Sequence, residues 1–420
     1  MNSINSNHRI LLLLPTRTYR AGAFLKAARQ LGIEVVVGSN QAQTLSRYLP
    51  ARSLTLNFHK PEQATQKIVE FARKYPFDAV VGVDDDSVLL AAMASAALSL
   101  PHNSIESVIA TRNKYRMREI LTRAGVPSPD FWLFSLEDPP TDLAKKVTFP
   151  CVVKPVSLSA SQGVIRADDE KQFVQAFYRL ASILENPEVR DRLGTAARQV
   201  LVEGFISGPE FALEGLLIQG KLKVLALFDK PDPLEGPFFE ETLYITPSRF
   251  PTSIQEAIAA CTAQAAEALG LKEGPVHAEL RYNHRGPWII EIAARSIGGL
   301  CSRTLRFGTG LSLEELILRH AVGLEIESFD REKPAAGVMM LPIPHAGILQ
   351  AVHGKERAAQ VEGIEEIVIS IPLEQEVQPL PEGSKYLGFI FARGESPAFV
   401  EEALREAYRR LEIVIIPQKY

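Results

Sequence analysis

Residues 277–295 constrain this chain more than any other stretch: His-Ala-Glu-Leu-Arg-Tyr-Asn-His-Arg-Gly-Pro-Trp-Ile-Ile-Glu-Ile-Ala-Ala-Arg. They read as two strands around Asn283-His284-Arg285-Gly286. If residue 279 faces residue 291, one face carries His277, Glu279, Arg281, Ile289, Glu291, Ala293 and Arg295. The other carries Ala278, Leu280, Tyr282, Trp288, Ile290, Ile292 and Ala294. One face is polar and ionisable and the other apolar, the period-two split of a half-buried hairpin. In that register Glu279 and Glu291 stand opposite each other, with Cβ atoms ~4.5–5.5 Å apart. Like charges so placed repel unless a cation or a proton lies between them. Two hard carboxylates on one concave face suit Mg²⁺, which keeps water and phosphate oxygens among its ligands. Arg295, on the same face, can hold a phosphate or carboxylate bidentately. The plain alternative is an exposed hairpin with solvated charges.

Around this hairpin the chain divides in three. Strand and helix signals alternate over the first ~110 residues: apolar runs at 9–14, 33–37 and 78–83, an amphipathic segment at 21–31, a helix at 61–75 and a small-residue helix at 88–98. That order implies a parallel sheet covered on both faces. No G-x-G-x-x-G follows the first strand, so a dinucleotide fingerprint is absent. Asp84, Asp85 and Asp86 follow the third strand; one reads as the N-cap of the next helix, and the run can also face a cleft. A second region starts near Thr111 and mixes helices at 113–124, 168–185 and 254–269 with several strands. Ser312-Leu-Glu-Glu315 is a capping box that opens another helix. The last ~90 residues read as a separate α+β lobe, with strands at 336–342, 365–371 and 387–393 and a helix at 396–409.

Three further segments carry candidate chemistry. Cys151-Val-Val-Lys154-Pro155 puts one point charge at the end of an apolar strand. The loop Ser157-Leu-Ser159-Ala-Ser161-Gln-Gly163 then offers hydroxyls and backbone N–H groups able to close over phosphates. It is not a Walker A loop, because G-x-x-x-x-G-K-[ST] is missing. Glu203 ends a short apolar strand in Val202-Glu-Gly204-Phe205, and Glu210 begins the next. Their carboxylates suit a nucleotide's amino group and ribose hydroxyls, or are simply exposed loop acids. Lys114 and Arg118 share a helix face at i, i+4, most simply a solvated one.

In order and spacing these pieces resemble the ATP-grasp superfamily of carboxylate–amine and carboxylate–thiol ligases. The resemblance rests on Asn113-Lys114, Val152-Val-Lys-Pro155, Val202-Glu-Gly-Phe205 and the Glu279–Glu291 pair, and spans nearly the whole chain. It implies an ATP-grasp fold of mixed α/β and α+β character. The parts would be an N-terminal Rossmann-like parallel-sheet domain (1–110), an ATP-grasp domain (111–330) with a small lid subdomain near 148–205, and a C-terminal α+β lobe (331–420). It also implies that Lys114 and Lys154 contact the ATP phosphates beneath a loop holding Ser159, Ser161 and Gly163. Glu203 would read the adenine edge, with the backbone of Gly204 and Phe205 nearby, and Glu210 would bind ribose. Glu279 and Glu291 would hold Mg²⁺, with Mn²⁺ as a substitute. Lys154 and Arg295 would be catalytic, Arg295 at the acyl phosphate. The usual last motif is Glu-x-Asn-x-Arg; here Ala293 stands in the Asn position and is no ligand, which leaves the number of Mg²⁺ ions open.

Glu291-Ile-Ala-Ala-Arg295, Gly274-Pro-x-His277-x-Glu279, Ala336-Gly-Val-Met-Met340 and Tyr386-Leu-Gly-Phe-Ile-Phe-Ala-Arg393 are similar to the bacterial L-amino-acid ligases of the bacilysin-synthetase type. The implied reaction joins a carboxylate, an amino acid's for preference, to an amine through an acyl phosphate, releasing ADP and phosphate. His277 and Arg281 flank Glu279 and can touch a substrate; Arg303 and Arg306, after Gly298-Gly299, can bind its carboxylate; each equally suits a structural hydrogen bond or ion pair. Two alternatives share the ATP machinery: a biotin-carboxylase-like or purine-biosynthetic carboxylase using bicarbonate, and a non-catalytic ATP-binding regulatory protein.

Composition excludes other classes. Lys and Arg total 46 against 50 Asp and Glu, a net charge of −4, which argues against a nucleic-acid binder. Three cysteines cannot all pair, so a disulfide framework is not expected. The longest early apolar run is residues 10–14, far short of the ~20 residues needed to cross a bilayer. A cytoplasmic enzyme with small-molecule substrates and no membrane partner is expected, and the superfamily resemblance suggests a homodimer.

Overall fold

A computed structural model describes residues 8–16, 18–41 and 52–417. The N-terminal part is a four-stranded sheet in the order Ser53–Thr55, Glu34–Ser39, Arg9–Leu13, Ala79–Gly82, every pairing parallel. The Arg9–Leu13 strand lies inside this sheet, so both its faces are covered and its apolar run is continuous. Ile10 and Leu12 pack with Phe24 and Ala27 of the helix Ala21–Gln30, while Leu11 and Leu13 pack with Ile68 and Leu90 on the other face. The helix Asp85–Ala97 starts at Asp84, whose side chain forms a capping box with Ser87.

A small antiparallel sheet follows, in the order Phe131–Ser135, Gln199–Gly204, Cys151–Pro155, Ile165–Ala167. The helix Glu170–Glu185 covers it, burying Phe173, Ala176, Phe177 and Leu180 at i, i+3, i+4 and i+7. The third sheet has eight strands, all antiparallel: Gly286–Ala293, Gly274–Asn283, Glu210–Ile218, Lys221–Lys230, Leu243–Thr246, Ala335–Leu341, Gly388–Gly394 and Ile364–Ile369. The strands of the terminal lobe therefore continue the sheet that carries the 277–295 hairpin. Ala335–Leu341 pairs directly with Leu243–Thr246. The helix Pro397–Arg409, capped by Ser396, covers this end and buries Val400, Ala403, Leu404 and Ala407. Fully burying one such leucine contributes ~1.5–3 kcal/mol.

The hairpin register matches the expectation at its centre, where Glu279 pairs with Glu291. One residue further it departs. A β-bulge shifts the ladder so that Leu280 pairs with Ile289, not with Ile290. Ile289 is thereby turned from the polar face into the apolar core at 0% exposure, and Ile290 lines the cleft instead.

Candidate functional site

The cleft lies where the small sheet, the central sheet and the helix Lys114–Arg123 meet. That helix opens at Asn113, whose Oδ1 accepts from Arg116 N at 3.0 Å. It buries Lys114, Met117, Arg118 and Leu121, at i, i+3, i+4 and i+7, so its basic face points inward and not to solvent. Lys114 Nζ donates to the Leu158 carbonyl at 2.8 Å and lies 3.2 Å from a Glu291 carboxylate oxygen. The strand Cys151–Pro155 brings Lys154 Nζ to 2.6 Å from Glu203, and Arg118 Nε donates to the same carboxylate at 2.8 Å. Burial alone would push Glu203 up, but Arg118 and then Lys154 hold it below the usual carboxylate range. Arg118, fully buried, also donates to the Ile290 carbonyl at 2.5 Å, at the bulge.

Glu210 is gripped from two sides. Arg281 Nε donates to it at 2.9 Å and Lys230 Nζ at 2.8 Å. Arg281 also lies against Phe205 and Phe239, 4.9 and 5.8 Å from their ring centres. The approach of the 205–210 loop to the hairpin depends on Gly208, at φ +108°: a Cβ there would meet the Tyr282 carbonyl oxygen at 2.1 Å. Lys230 pairs also with Glu241 and lies 3.6 Å from Glu279. Burial would lower its pKa, but the three carboxylates raise it well above the ordinary lysine value. Glu241 in turn accepts from the Tyr244 hydroxyl at 2.6 Å and the Tyr386 hydroxyl at 3.2 Å.

Carboxylate oxygens of Glu210, Glu241 and Glu279 lie within 4.8 Å of one another, close enough to share a metal ion. Lys230 already supplies a positive charge there. The Glu279–Glu291 pair is the better fit to a hard divalent ion. Both carboxylates line the cleft, remain 22% and 29% exposed, and face each other in register. Ala293, in the same wall, offers no donor.

His277 spans two acids: Nδ1 is 3.2 Å from Glu214 and Nε2 3.5 Å from Glu279. Burial alone would lower its pKa; the hydrogen bonds to Glu214 and Glu279 reverse this and lift it to about 9. The ring is therefore protonated at neutral pH, with both nitrogens directed at carboxylates. Arg295 donates through Nε and Nη2 to the two oxygens of Asp85, each at 2.9 Å.

The structure thus brings Lys114, Lys154, Ser159, Ser161, Glu203, Gly204, Phe205, Glu210, His277, Glu279, Arg281, Glu291 and Arg295 to one cleft. Three expected residues lie elsewhere. Gly163 donates its N–H to the Pro381 carbonyl at 2.9 Å and does not line the cleft. Its neighbour Gln162 donates to the Glu382 carbonyl at 2.9 Å, and Arg179 forms a double bridge to the Glu382 carboxylate at 2.6 and 3.0 Å. The loop end is therefore fastened to the terminal lobe. Arg303 pairs with Glu366 near the surface, and Arg306 donates to the carbonyls of Arg303 and Leu305. Neither lines the cleft. The amides of Gly204 and Phe205 are used by the carbonyls of Asp130 and Pro150, so they hold the loop in place. Sequence reasoning passed over Lys230, Glu241 and Glu214. The one signal for Lys230 is its place at the end of an apolar strand, in Phe228-Asp-Lys230-Pro231.

Comparison with known proteins places the chain in a family. Residues 147–304 match the ATP-grasp domain, residues 25–102 the ATP-grasp N-terminal domain, and residues 339–415 the L-amino acid ligase C-terminal domain 2. The crystal structure of an L-amino acid ligase from Bacillus licheniformis superposes with a TM-score of 0.82 at 30% identity, covering 98% of this chain and 99% of that one. Dapdiamide A synthase of Enterobacter agglomerans is 29% identical over 79% of this chain and 78% of its own length. An N5-carboxyaminoimidazole ribonucleotide synthetase from Thermotoga maritima superposes with a TM-score of 0.70, over 97% of this chain and all of that one. At 16% identity it shares the fold alone. Among the described residues no helix is long and apolar enough to cross a membrane. The chain belongs to the ATP-grasp L-amino-acid ligases, enzymes that use ATP to join a carboxylate to an amine.

Proposed function

We propose that this chain activates an amino acid's carboxylate with ATP and passes the acyl group to the amine of a second substrate. The observation that carries this is the facing pair Glu279 and Glu291 in a cleft that also holds Lys114, Lys154 and Arg295. Lys114 and Lys154 bind the phosphates, with Ser159 and Ser161 in the loop above them. Glu203 holds Lys154 in place and lies toward the adenine, and Glu210 lies toward the ribose. Glu279 and Glu291 hold Mg²⁺ or Mn²⁺, which when bound neutralises charge on the phosphate oxygens.

The substrate carboxylate attacks the γ-phosphorus, giving an acyl phosphate and ADP. The amine nitrogen then attacks the acyl carbon, loses a proton, and phosphate departs. Arg295 holds the anionic oxygens of the reacting group. No protein nucleophile is needed: positioning and charge neutralisation do the work. The Ser157–Gly163 loop keeps water from the acyl phosphate. The match of residues 339–415 to an L-amino acid ligase domain favours an amino acid over bicarbonate as the activated acid. A cytoplasmic location and a homodimer go with this reading, the latter checked by sedimentation.

The test is ADP release across a panel of amino-acid pairs, with a bicarbonate arm and Glu291→Ala as control. Release that depends on amino acids and is lost in the control supports the reading; release that depends on bicarbonate overturns it.

A further inference from the structure

Asp85 lies 210 residues from Arg295 in sequence, on a different sheet-and-helix layer, yet it makes the closest contact of that arginine. It is the first residue of the helix Asp85–Ala97, where the helix dipole favours an anion. The bond is side-on: Nε donates to one carboxylate oxygen and Nη2 to the other, both at 2.9 Å. Nη1 donates to the Ser296 carbonyl at 3.2 Å. A guanidinium carries five N–H groups. With three engaged, one is left on each terminal nitrogen, the set needed to grip two oxygens of an anion.

The next residue is fixed from the same side. Arg20, buried in the N-terminal part, donates through Nη2 to the Ser296 hydroxyl at 2.5 Å and through Nη1 to the Val83 carbonyl at 2.7 Å. Arg20, Val83 and Asp85 therefore clamp the Arg295-Ser296 corner onto the C-terminal edge of the parallel sheet.

We propose that Asp85 is a positioning residue for the ligation, holding the Arg295 guanidinium so that its two remaining N–H groups meet the acyl phosphate. This rests on the role given above to Arg295. It also gives the N-terminal sheet a part in the chemistry: Asp85 sets the angle of a group that must be accurate to well under ~1 Å, because a misplacement of that size costs on the order of 10²-fold in rate.

The test compares Asp85→Asn, Asp85→Glu, Arg295→Lys and the double variant D85N/R295K, followed by ADP release and thermal unfolding. D85N is expected to lose about 10–100-fold in kcat while KM for ATP stays within about twofold and the fold survives. D85E is expected to recover part of the loss. The double variant should be no slower than R295K alone, because both changes remove one function. Three results overturn the inference: D85N at wild-type kcat, D85N faster than wild type (a clasp that restrains Arg295), or losses that multiply in the double variant. An active R295K overturns the role of Arg295 and this inference with it; an inactive R295K beside an active D85N overturns the inference alone. The pair is also read without turnover. In ¹⁵N-labelled protein the Arg295 Nε–H signal, assigned by its loss in R295K, should exchange slowly with water in wild type and fast in D85N. Equal exchange rates overturn the proposal.

Discussion

Glu279 and Glu291 face each other across the hairpin, and each has basic groups beside it: His277 at 3.5 Å and Lys230 at 3.6 Å from Glu279, and Lys114 at 3.2 Å from Glu291. The repulsion between the two acids is thus already reduced, and the pair remains poised for a divalent ion. Glu291→Gln should lower ADP release by about 10²–10³-fold at ordinary Mg²⁺ and shift the Mg²⁺ dependence to higher concentration. It should also lower the thermal midpoint, because the buried Lys114 loses its carboxylate partner. A magnesium titration of turnover, alongside a melting curve, checks both.

Lys154 and Arg118 share one carboxylate but should fail differently when removed. Lys154→Ala leaves Glu203 paired with Arg118, so the fold survives while KM for ATP rises by about tenfold or more. Arg118→Ala removes the bidentate partner of a buried acid and an anchor of the Ile290 carbonyl. Breaking a buried pair in this way costs ~3–5 kcal/mol. Denaturant unfolding of the two variants separates a binding residue from a structural one.

Asp84 supplies a pH prediction. Burial, with help from Asp86, lifts its carboxyl to about 6, although hydrogen bonds from Thr18 and Ser87 oppose this. A carboxyl whose folded pKa is raised binds its proton more tightly in the native state. Its contribution is fully present below pH ~4 and is lost as pH rises through about 6. Asp84→Asn keeps a capping oxygen without the charge. At pH 7.5 this variant should be more stable than wild type by up to ~2 kcal/mol, and the gain should vanish below pH ~4. Melting curves across pH 3.5–8 test the sign.

Arg179 and Glu382 fasten the helix Glu170–Glu185 to the terminal lobe, next to the bond from Gly163 N–H to Pro381. Arg179→Ala should loosen the loop locally. Hydrogen exchange of residues 158–164 should speed up several-fold while residues 79–82 of the parallel sheet stay unchanged. Uniform acceleration across the chain would mean a general loss of stability instead.

Much of this architecture was legible from periodicity alone. The hairpin alternation placed Glu279 opposite Glu291, and a Gly-ended amphipathic pattern marked the helix Ala21–Gln30. The bulge was not legible, because Ile289 and Ile290 are the same residue and no pattern says which one turns inward. Pairs from distant segments were equally hidden: Asp85 with Arg295, and Lys230 with acids from two strands and the segment before Leu243–Thr246. Each is made by strand order, which a hydropathy pattern does not encode. Arg303 and Arg306 were drawn in by their place after Gly298-Gly299, but the chain turns through the short helix Cys301–Thr304 and carries them off. Gly163 suited a phosphate loop by type, yet its φ of +73° and the close packing of Leu180 make it a packing glycine.

The shared eight-stranded sheet has a practical consequence for anyone dividing this chain. A cut near residue 331 would strip Ala335–Leu341 from Leu243–Thr246 and leave a row of unpaired backbone donors and acceptors beside the cleft. Such an open edge invites pairing with another copy and hence aggregation. The same cut would take away Tyr386, whose hydroxyl reaches Glu241 in the cleft wall. What sequence punctuation presents as an appended module is, in hydrogen-bond terms, the far half of the floor on which the cleft is built.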